Sequence, residues 1–366
     1  VLRSAESGAT DDTPHWEFLL LIELHAHHMT PAMFDLDPHW GPSWVGQQLK
    51  VGNWMMRQKK FPDLQQIGRD QCGAVIFDRM DHGFRRQMMT ELGIDVVVIS
   101  NSPLLYYYWA GDFGVEYATV VNDEFAKWCA VDAQVFFWWA QVPMHRPAAA
   151  AIELERAVGM GAVGLMCGGA DFGGLDLHSR QMDELWAKVV ELDVPVFIHG
   201  HPQATAWQDP NKPDPLDTST ALGYMYDESR AFWHLTCGGV LDRFPALKVY
   251  ITHAGGFTPY QIERFGALDG TLAADSVNKR PIAEYMPNFY FDLMVPHDGM
   301  RRALTELIGV DNLVYGSNLG GSDQIAFDLT DRIGLTDHDR ERIKSGNALK
   351  LLHLDGKVPT TVGHNA

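Results

Sequence analysis

A chain of 366 residues, 46% hydrophobic and 21% charged, has the composition of a packed globular protein, which argues against global disorder. Its net charge of −18 leaves no basic stripe to displace counterions from a phosphate backbone, which argues against nucleic-acid binding. The four cysteines, Cys72, Cys129, Cys167 and Cys237, form no CxxC pair; a thiolate zinc site or a disulfide framework is not expected, and scattered thiols fit a reducing cytosol.

The N-terminus has no basic stretch followed by an apolar one, so no signal peptide is expected. Ser4 to Pro14 is small, polar and acidic, and residues 1–17 read as a flexible tail. Phe18 to Leu24 (FLLLIEL) is too short to span a bilayer and reads as a buried strand ending at His25. The link from there to Asp95 is too long for one helix, and Trp40 to Arg79 is expected to form an insertion covering one end of the fold. Asp95 to Ser100 reads as a second strand, followed by Tyr106-Tyr107-Tyr108-Trp109, which suits either a pocket lining or packing. Val135 to Val142 is a third strand. Pro147 to Val158 reads as a helix with proline at its start and Gly159 at its end. Ala162 to Met166 is a fourth strand, and Cys167 after it reads as a buried, inert thiol. His178 to Leu192 carries Met182, Leu185, Trp186, Val189 and Val190 at helical spacing. Val194 to His199 is a fifth strand, and Gln203 to Thr218 a polar, proline-rich excursion. Strands six to eight are Leu247 to His253, Phe289 to Leu293 and Leu313 to Ser317, and Thr336 to Leu352 reads as a closing helix.

Apolar runs that are continuous rather than alternating are what a parallel sheet buried on both faces produces. Eight of them alternating with helices predict an α/β fold, a (β/α)8 TIM-type barrel with an inserted segment after strand one. Residues 18–354 form one domain on this reading, with a C-terminal tail at 355–366.

Active-site residues of such barrels lie at the C-terminal ends of strands. His25 and His27 end strand one, His199 ends strand five with His201 two residues on, His253 ends strand six, and Asn318 follows strand eight. Residues i and i+2 of a strand point the same way, so His25 and His27 can aim at one point. A third imidazole from His199 completes a three-nitrogen divalent-metal site with an open position. One HxH among 16 histidines is weak on its own; histidines at the ends of three strands are a stronger signal.

These segments resemble the amidohydrolase superfamily, and within it the amidohydrolase-2 branch, which holds aminocarboxymuconate-semialdehyde decarboxylase and the γ-resorcylate and 5-carboxyvanillate decarboxylases. Ile22 to Pro31 is similar to the branch's opening I-D-x-H-x-H-x-x-P, with the proline one residue late. Asp193 to His199 resembles D-x-P-V-F-I-H, and Phe244 to Gly256 resembles F-P-x-L-K-V-x-x-x-H-x-G-G. Met89 to Ser100 and Lys344 to Leu351 extend the likeness. The resemblance implies one divalent ion, zinc by default with manganese as the rival, held by His25, His27, His199 and the strand-eight residue Asn318. It implies His253 beside the metal and Arg79 on a substrate carboxylate; by their place after strands two and five, His201, Tyr108 and Trp109 are expected to line the substrate site. It also implies a homodimer acting on a small carboxylic acid.

Two departures stand out. The family's strand-eight aspartate is Asn318 here. An amide can coordinate through its oxygen but cannot exchange a proton near neutral pH. The chain is then an Asp-to-Asn form of an otherwise intact site, or takes its acid–base group from Asp323 or His253. Glu23 stands where the family has aspartate; it is expected to orient a histidine, with a Glu23/His25 ligand pair as the competing register. The leading expectation is a non-oxidative decarboxylase of an aromatic or unsaturated acid. The alternatives are a hydrolase or hydratase on the same scaffold, and a metal-dependent binding protein without turnover.

Overall fold

The computed structural model describes residues 20–30, 32–35, 81–108, 110–201, 218–270, 275–321 and 324–359. Eight parallel strands follow one another around a barrel in sequence order: β1 (Ile22–His27), β2 (Val96–Ser100), β3 (Phe136–Gln141), β4 (Gly164–Cys167), β5 (Val196–Ile198), β6 (Val249–Ile251), β7 (Phe289–Asp292) and β8 (Leu313–Val314). The barrel closes where Leu319, past β8, exchanges backbone bonds with β1: its N–H donates to His25 and His27 N–H donates to it, each at 2.8 Å. Every predicted strand is present, and every strand residue is buried, the condition that produced the unbroken apolar runs.

Between strands lie α1 (His82–Leu92), α2 (Asp112–Cys129), α3 (Pro147–Gly159), α4 (Asp183–Glu191), α5 (Tyr224–Cys237), α6 (Thr258–Leu268) and α7 (Asp298–Ile308). Local chemistry sets their ends. Asp81 caps α1 by accepting the Phe84 N–H, and Gly93, at φ 65°, ends it with an N–H on Met89. Pro147 opens α3. The predicted closing helix is interrupted: Asp337–Glu341 passes through a π-turn, Arg342–Gly346, into α8 (Asn347–Leu352). The extra residue of the π-turn lets Asn347 Nδ2 reach the carbonyls of Val310 and Leu313, both at 2.7 Å. No helix among the described residues is long and apolar enough to cross a membrane. The expected N-terminal tail, the whole insertion, most of the excursion and residues 360–366 of the C-terminal tail lie outside the described residues.

Two features of the barrel position the site. β1 ends at His27, as the position of the two histidines predicts, and carries one extra residue relative to β2 between Glu23 and Ala26. This bulge bends the end of β1, so both histidines lie within the strand. Below them, the barrel interior is plugged by an aromatic layer: Trp139 stacks on Phe197 at 5.1 Å, and Phe197 meets Tyr250 edge-on at 5.3 Å. All three are fully buried, and the Trp139 indole N–H donates to the Leu24 carbonyl at 3.2 Å.

Candidate metal centre

His25, His27 and His199 meet at the C-terminal mouth, with one ring nitrogen of each within 4.8 Å of the others. Their ring centroids are 4.9–5.4 Å apart and the rings stand near perpendicular. All three are buried. Each Nδ1 faces an acceptor: His25 the Asp292 carboxylate at 3.2 Å, His27 the Asn101 carbonyl at 3.3 Å, His199 the Gly200 carbonyl at 2.7 Å. An acceptor at Nδ1 fixes the proton there and leaves the lone pair on Nε2. The Nε2 atoms of His25 and His199 are buried with no hydrogen-bond partner among the described residues. Two buried lone pairs without a proton to share, with the His27 ring beside them, make a poor protein interior and a good cation site. Burial, reinforced by the neighbouring histidines, holds the His25 and His199 imidazoles well below their ordinary pKa, so they stay neutral and able to ligate. The residues present fit a divalent ion.

His253 completes the ring of imidazoles, its centroid 4.9 Å from His25 and 4.8 Å from His199. It is held in a left-handed turn, φ 48° for His253 and 56° for Ala254, a conformation non-glycine residues seldom adopt. The hold comes from Glu228 of α5, whose carboxylate lies 2.6 Å from His253 Nδ1 and 2.7 Å from the Thr252 hydroxyl. Glu228 also accepts the Gly200 N–H at 3.1 Å, while its neighbour Asp227 accepts those of Gly169 and His201 at 2.8 and 3.1 Å. Two consecutive carboxylates of one helix therefore brace the ends of β4, β5 and β6.

Asn318 lies at the same mouth, one residue from the Leu319 closure. It is buried, at φ 58°, and a side chain at Gly321 would overlap its carboxamide. Glu23 does not orient a histidine ring as expected. Its carboxylate takes the backbone N–H of His25 at 2.8 Å and the N–H and hydroxyl of Ser317 at 3.0 and 2.6 Å. It thus ties β1 to the end of β8, and burial pushes it up to about 8. With its oxygens so engaged, the Glu23/His25 ligand register gains no support. The ring it was expected to hold is held by Asp292, at the end of β7, which also accepts the Tyr250 hydroxyl and the Ala254 N–H, each at 2.8 Å. Asp292, Glu228 and Asp227 are the site residues that the sequence reading missed.

On the β4–β5 side, Tyr108 and Tyr106 pack against His201, with centroids 5.4 and 6.0 Å away. Tyr108 also meets Phe172 at 5.0 Å. The Tyr106 hydroxyl is buried without a hydrogen-bond partner among the described residues, and Tyr224 lies 5.4 Å from His199. The wall beside the histidines is therefore aromatic. Burial lowers the His201 pKa to about 3, so it is neutral here. Cys167 is fully buried and its thiol is pushed up by burial, as an inert cysteine should be. Arg79, Trp109 and Asp323 lie outside the described residues. A different arginine, Arg85 of α1, is fully buried and donates to the His27 carbonyl at 2.6 Å, fixing the end of β1 from behind.

Asp292→Asn is expected to weaken divalent-metal affinity by about 10–100-fold, read by competition with a chromophoric chelator. Asp292 Oδ2 receives both His25 Nδ1 and the Tyr250 hydroxyl. An amide nitrogen there favours the other His25 tautomer and occupies the ligating lone pair with a proton. Unchanged affinity would show that Asp292 does not set the tautomer.

A family model described as amidohydrolase matches residues 24–354. The 2-keto-4-carboxy-3-hexenedioate hydratase of Sphingobium sp. (strain NBRC 103272 / SYK-6) is 27% identical to this chain, covering 93% of the chain and 98% of that protein. The γ-resorcylate decarboxylase of Polaromonas sp. (strain JS666 / ATCC BAA-500) is 27% identical, covering 74% and 87%. Among solved structures, a 5-carboxyvanillate decarboxylase of Novosphingobium aromaticivorans superposes with a TM-score of 0.74 at 20% identity, covering 92% of this chain and 98% of that one. That structure is an aspartate-to-asparagine variant with bound manganese and 3-methoxy-4-hydroxy-5-nitrobenzoic acid.

Proposed function

This chain belongs to the amidohydrolase family, and from that premise we propose that it is a metal-dependent, non-oxidative decarboxylase of an aromatic or unsaturated carboxylic acid. The observation that carries the reading is the three-histidine centre set beside a buried wall of Tyr106, Tyr108 and Tyr224, which suits a flat, conjugated carboxylate. Decarboxylases of γ-resorcylate and of aminocarboxymuconate semialdehyde among the relatives support it.

His25, His27 and His199 would hold the ion, with the Asn318 amide oxygen as a further donor. Three imidazoles suit zinc, and manganese, present in the solved relative, is the rival. When bound, the ion supplies positive charge that draws in the substrate carboxylate and a neighbouring oxygen. The chain's own residues do the rest. The tyrosine wall orients the conjugated system and keeps water out. His253, supported at Nδ1 by Glu228, would hand a proton from Nε2 to the carbon bearing the carboxylate. Protonation there interrupts the conjugation and creates a sink for the electron pair; the carbon–carboxylate bond then breaks, CO2 leaves, and its electrons restore the double bond. The scattered thiols and the resemblance support a homodimer in the cytosol.

The test loads the chain with Mn2+ or Zn2+ and offers hydroxybenzoates and dienoic acids, following CO2 by headspace mass spectrometry. Metal-dependent CO2 release is expected. A second reading, hydration, is favoured by the near full-length likeness to the Sphingobium hydratase; gain of one water by a dienoate without CO2 would replace the first reading with it.

A further inference from the structure

A second group of ligating side chains lies outside the barrel mouth, between the loop after β4 and helix α5. One ligand atom from each of Asp176, His178 and His234 lies within 4.8 Å of the others. The two histidines, 56 residues apart in sequence, face each other with their Nδ1 atoms 2.8 Å apart and ring centroids 4.8 Å apart. Two nitrogens at that distance share one proton: one ring donates from Nδ1 and the other accepts. We propose that Asp176, His178 and His234 form a second, surface site for a zinc-like divalent ion, distinct from the centre at the barrel mouth.

The donor set is right for such an ion: two imidazoles and a carboxylate, with a fourth position open to water. Bonds of about 2.0–2.1 Å place two nitrogens of a tetrahedral site about 3.3 Å apart. The rings therefore need to part by only about half an ångström, and His178 is exposed and has room to turn.

The backbone carrying the ligands is already fixed. Ser179 donates its N–H to the Asp176 carbonyl at 2.9 Å, and its hydroxyl receives the Asp176 N–H at 3.0 Å. Arg243 ties the loop to α4, donating to the His178 carbonyl at 3.5 Å and to Asp183 at 2.8 Å. Position 238 is glycine, where a side chain would collide with His178, so the loop seats directly on the end of α5.

One feature opposes the ion. Arg230, a turn before His234, lies 3.6 Å from Asp176 Oδ1. That oxygen also accepts the Asp171 N–H at 3.1 Å. Oδ2 is the oxygen left for the ion, and the guanidinium charge lowers the affinity without filling the site. A bound ion would cross-link the loop carrying Phe172, which packs on Tyr108, to the helix carrying Asp227 and Glu228.

The test is zinc stoichiometry by equilibrium dialysis and atomic emission, on the full chain and on His178→Ala, His234→Ala and His199→Ala. Two equivalents are expected in the unmodified chain and one in each variant. His199→Ala keeps the surface equivalent, so the result stands apart from the reading of the mouth. No zinc bound by His199→Ala, or a count in His178→Ala equal to that of the unmodified chain, overturns the proposal; one equivalent in the unmodified chain that is lost in His178→Ala and kept in His199→Ala would instead count against the reading of the mouth. His178 is exposed, so its variant should fold; an unchanged circular dichroism spectrum checks this.

Discussion

Asn318→Asp is expected to raise the rate of CO2 release by about 10²–10⁴-fold, the usual contribution of a positioned acid or base. The exchange fits the space. Aspartate has the same shape, tolerates the left-handed backbone found at 318, and meets the same glycine at 321. What changes is chemistry: a carboxyl carries an exchangeable proton and an amide does not. The measurement is initial CO2 release at matched metal content, alongside metal affinity, which should hold or tighten because a charged oxygen replaces a neutral one. A faster aspartate form means that the family's acid–base position is latent in this chain. An equal rate means that His253, braced by Glu228, carries the proton unaided, and His253→Gln should then abolish turnover.

His199→Ala is expected to remove the metal from the mouth and lower activity by about 10³-fold or more. The several kcal/mol of charge stabilisation that a bound cation supplies correspond to that factor at about 1.4 kcal/mol per decade. Two imidazoles from one strand remain, and they span only one side of the site. The barrel should survive, because the β5 ladder is made by backbone groups from Val196 to Ile198 and the aromatic layer beneath is untouched. Metal analysis and activity should fall together while the thermal unfolding midpoint moves little. Full metal retention would remove His199 from the ligand set.

The sequence made the strands legible because each is buried on both faces, so its apolar run is unbroken. Their ends were less legible. β1 begins at Ile22, four residues after the apolar run does, and its closing bonds come from Leu319, nearly 300 residues away, which no local pattern announces. The histidines could be found from strand-end position alone. Asp292 was within reach of the same logic, since a buried run ending in an acid (FYFD) is anomalous at a strand end. Asp227 and Glu228 were not, because acids on an amphipathic helix ordinarily read as a solvated face, and only the fold shows that these two point inward. Glu23 was recognised as a supporting carboxylate but paired with the wrong group: a bond to backbone leaves no trace in side-chain spacing. The π-turn in the closing run escaped for a similar reason, since one inserted residue hardly disturbs helical periodicity.

The aromatic layer of Trp139, Phe197 and Tyr250 makes the site a blind alley. Among the described residues the lower end is stoppered by aromatic rings, so traffic in both directions passes above the histidines. On the proposed reaction carbon dioxide, the lighter product, has to slip past its larger co-product, or wait behind it. Departure of the larger product then clears the passage for the next molecule, and a tight-binding analogue of that compound would cork the alley against substrate and gas alike.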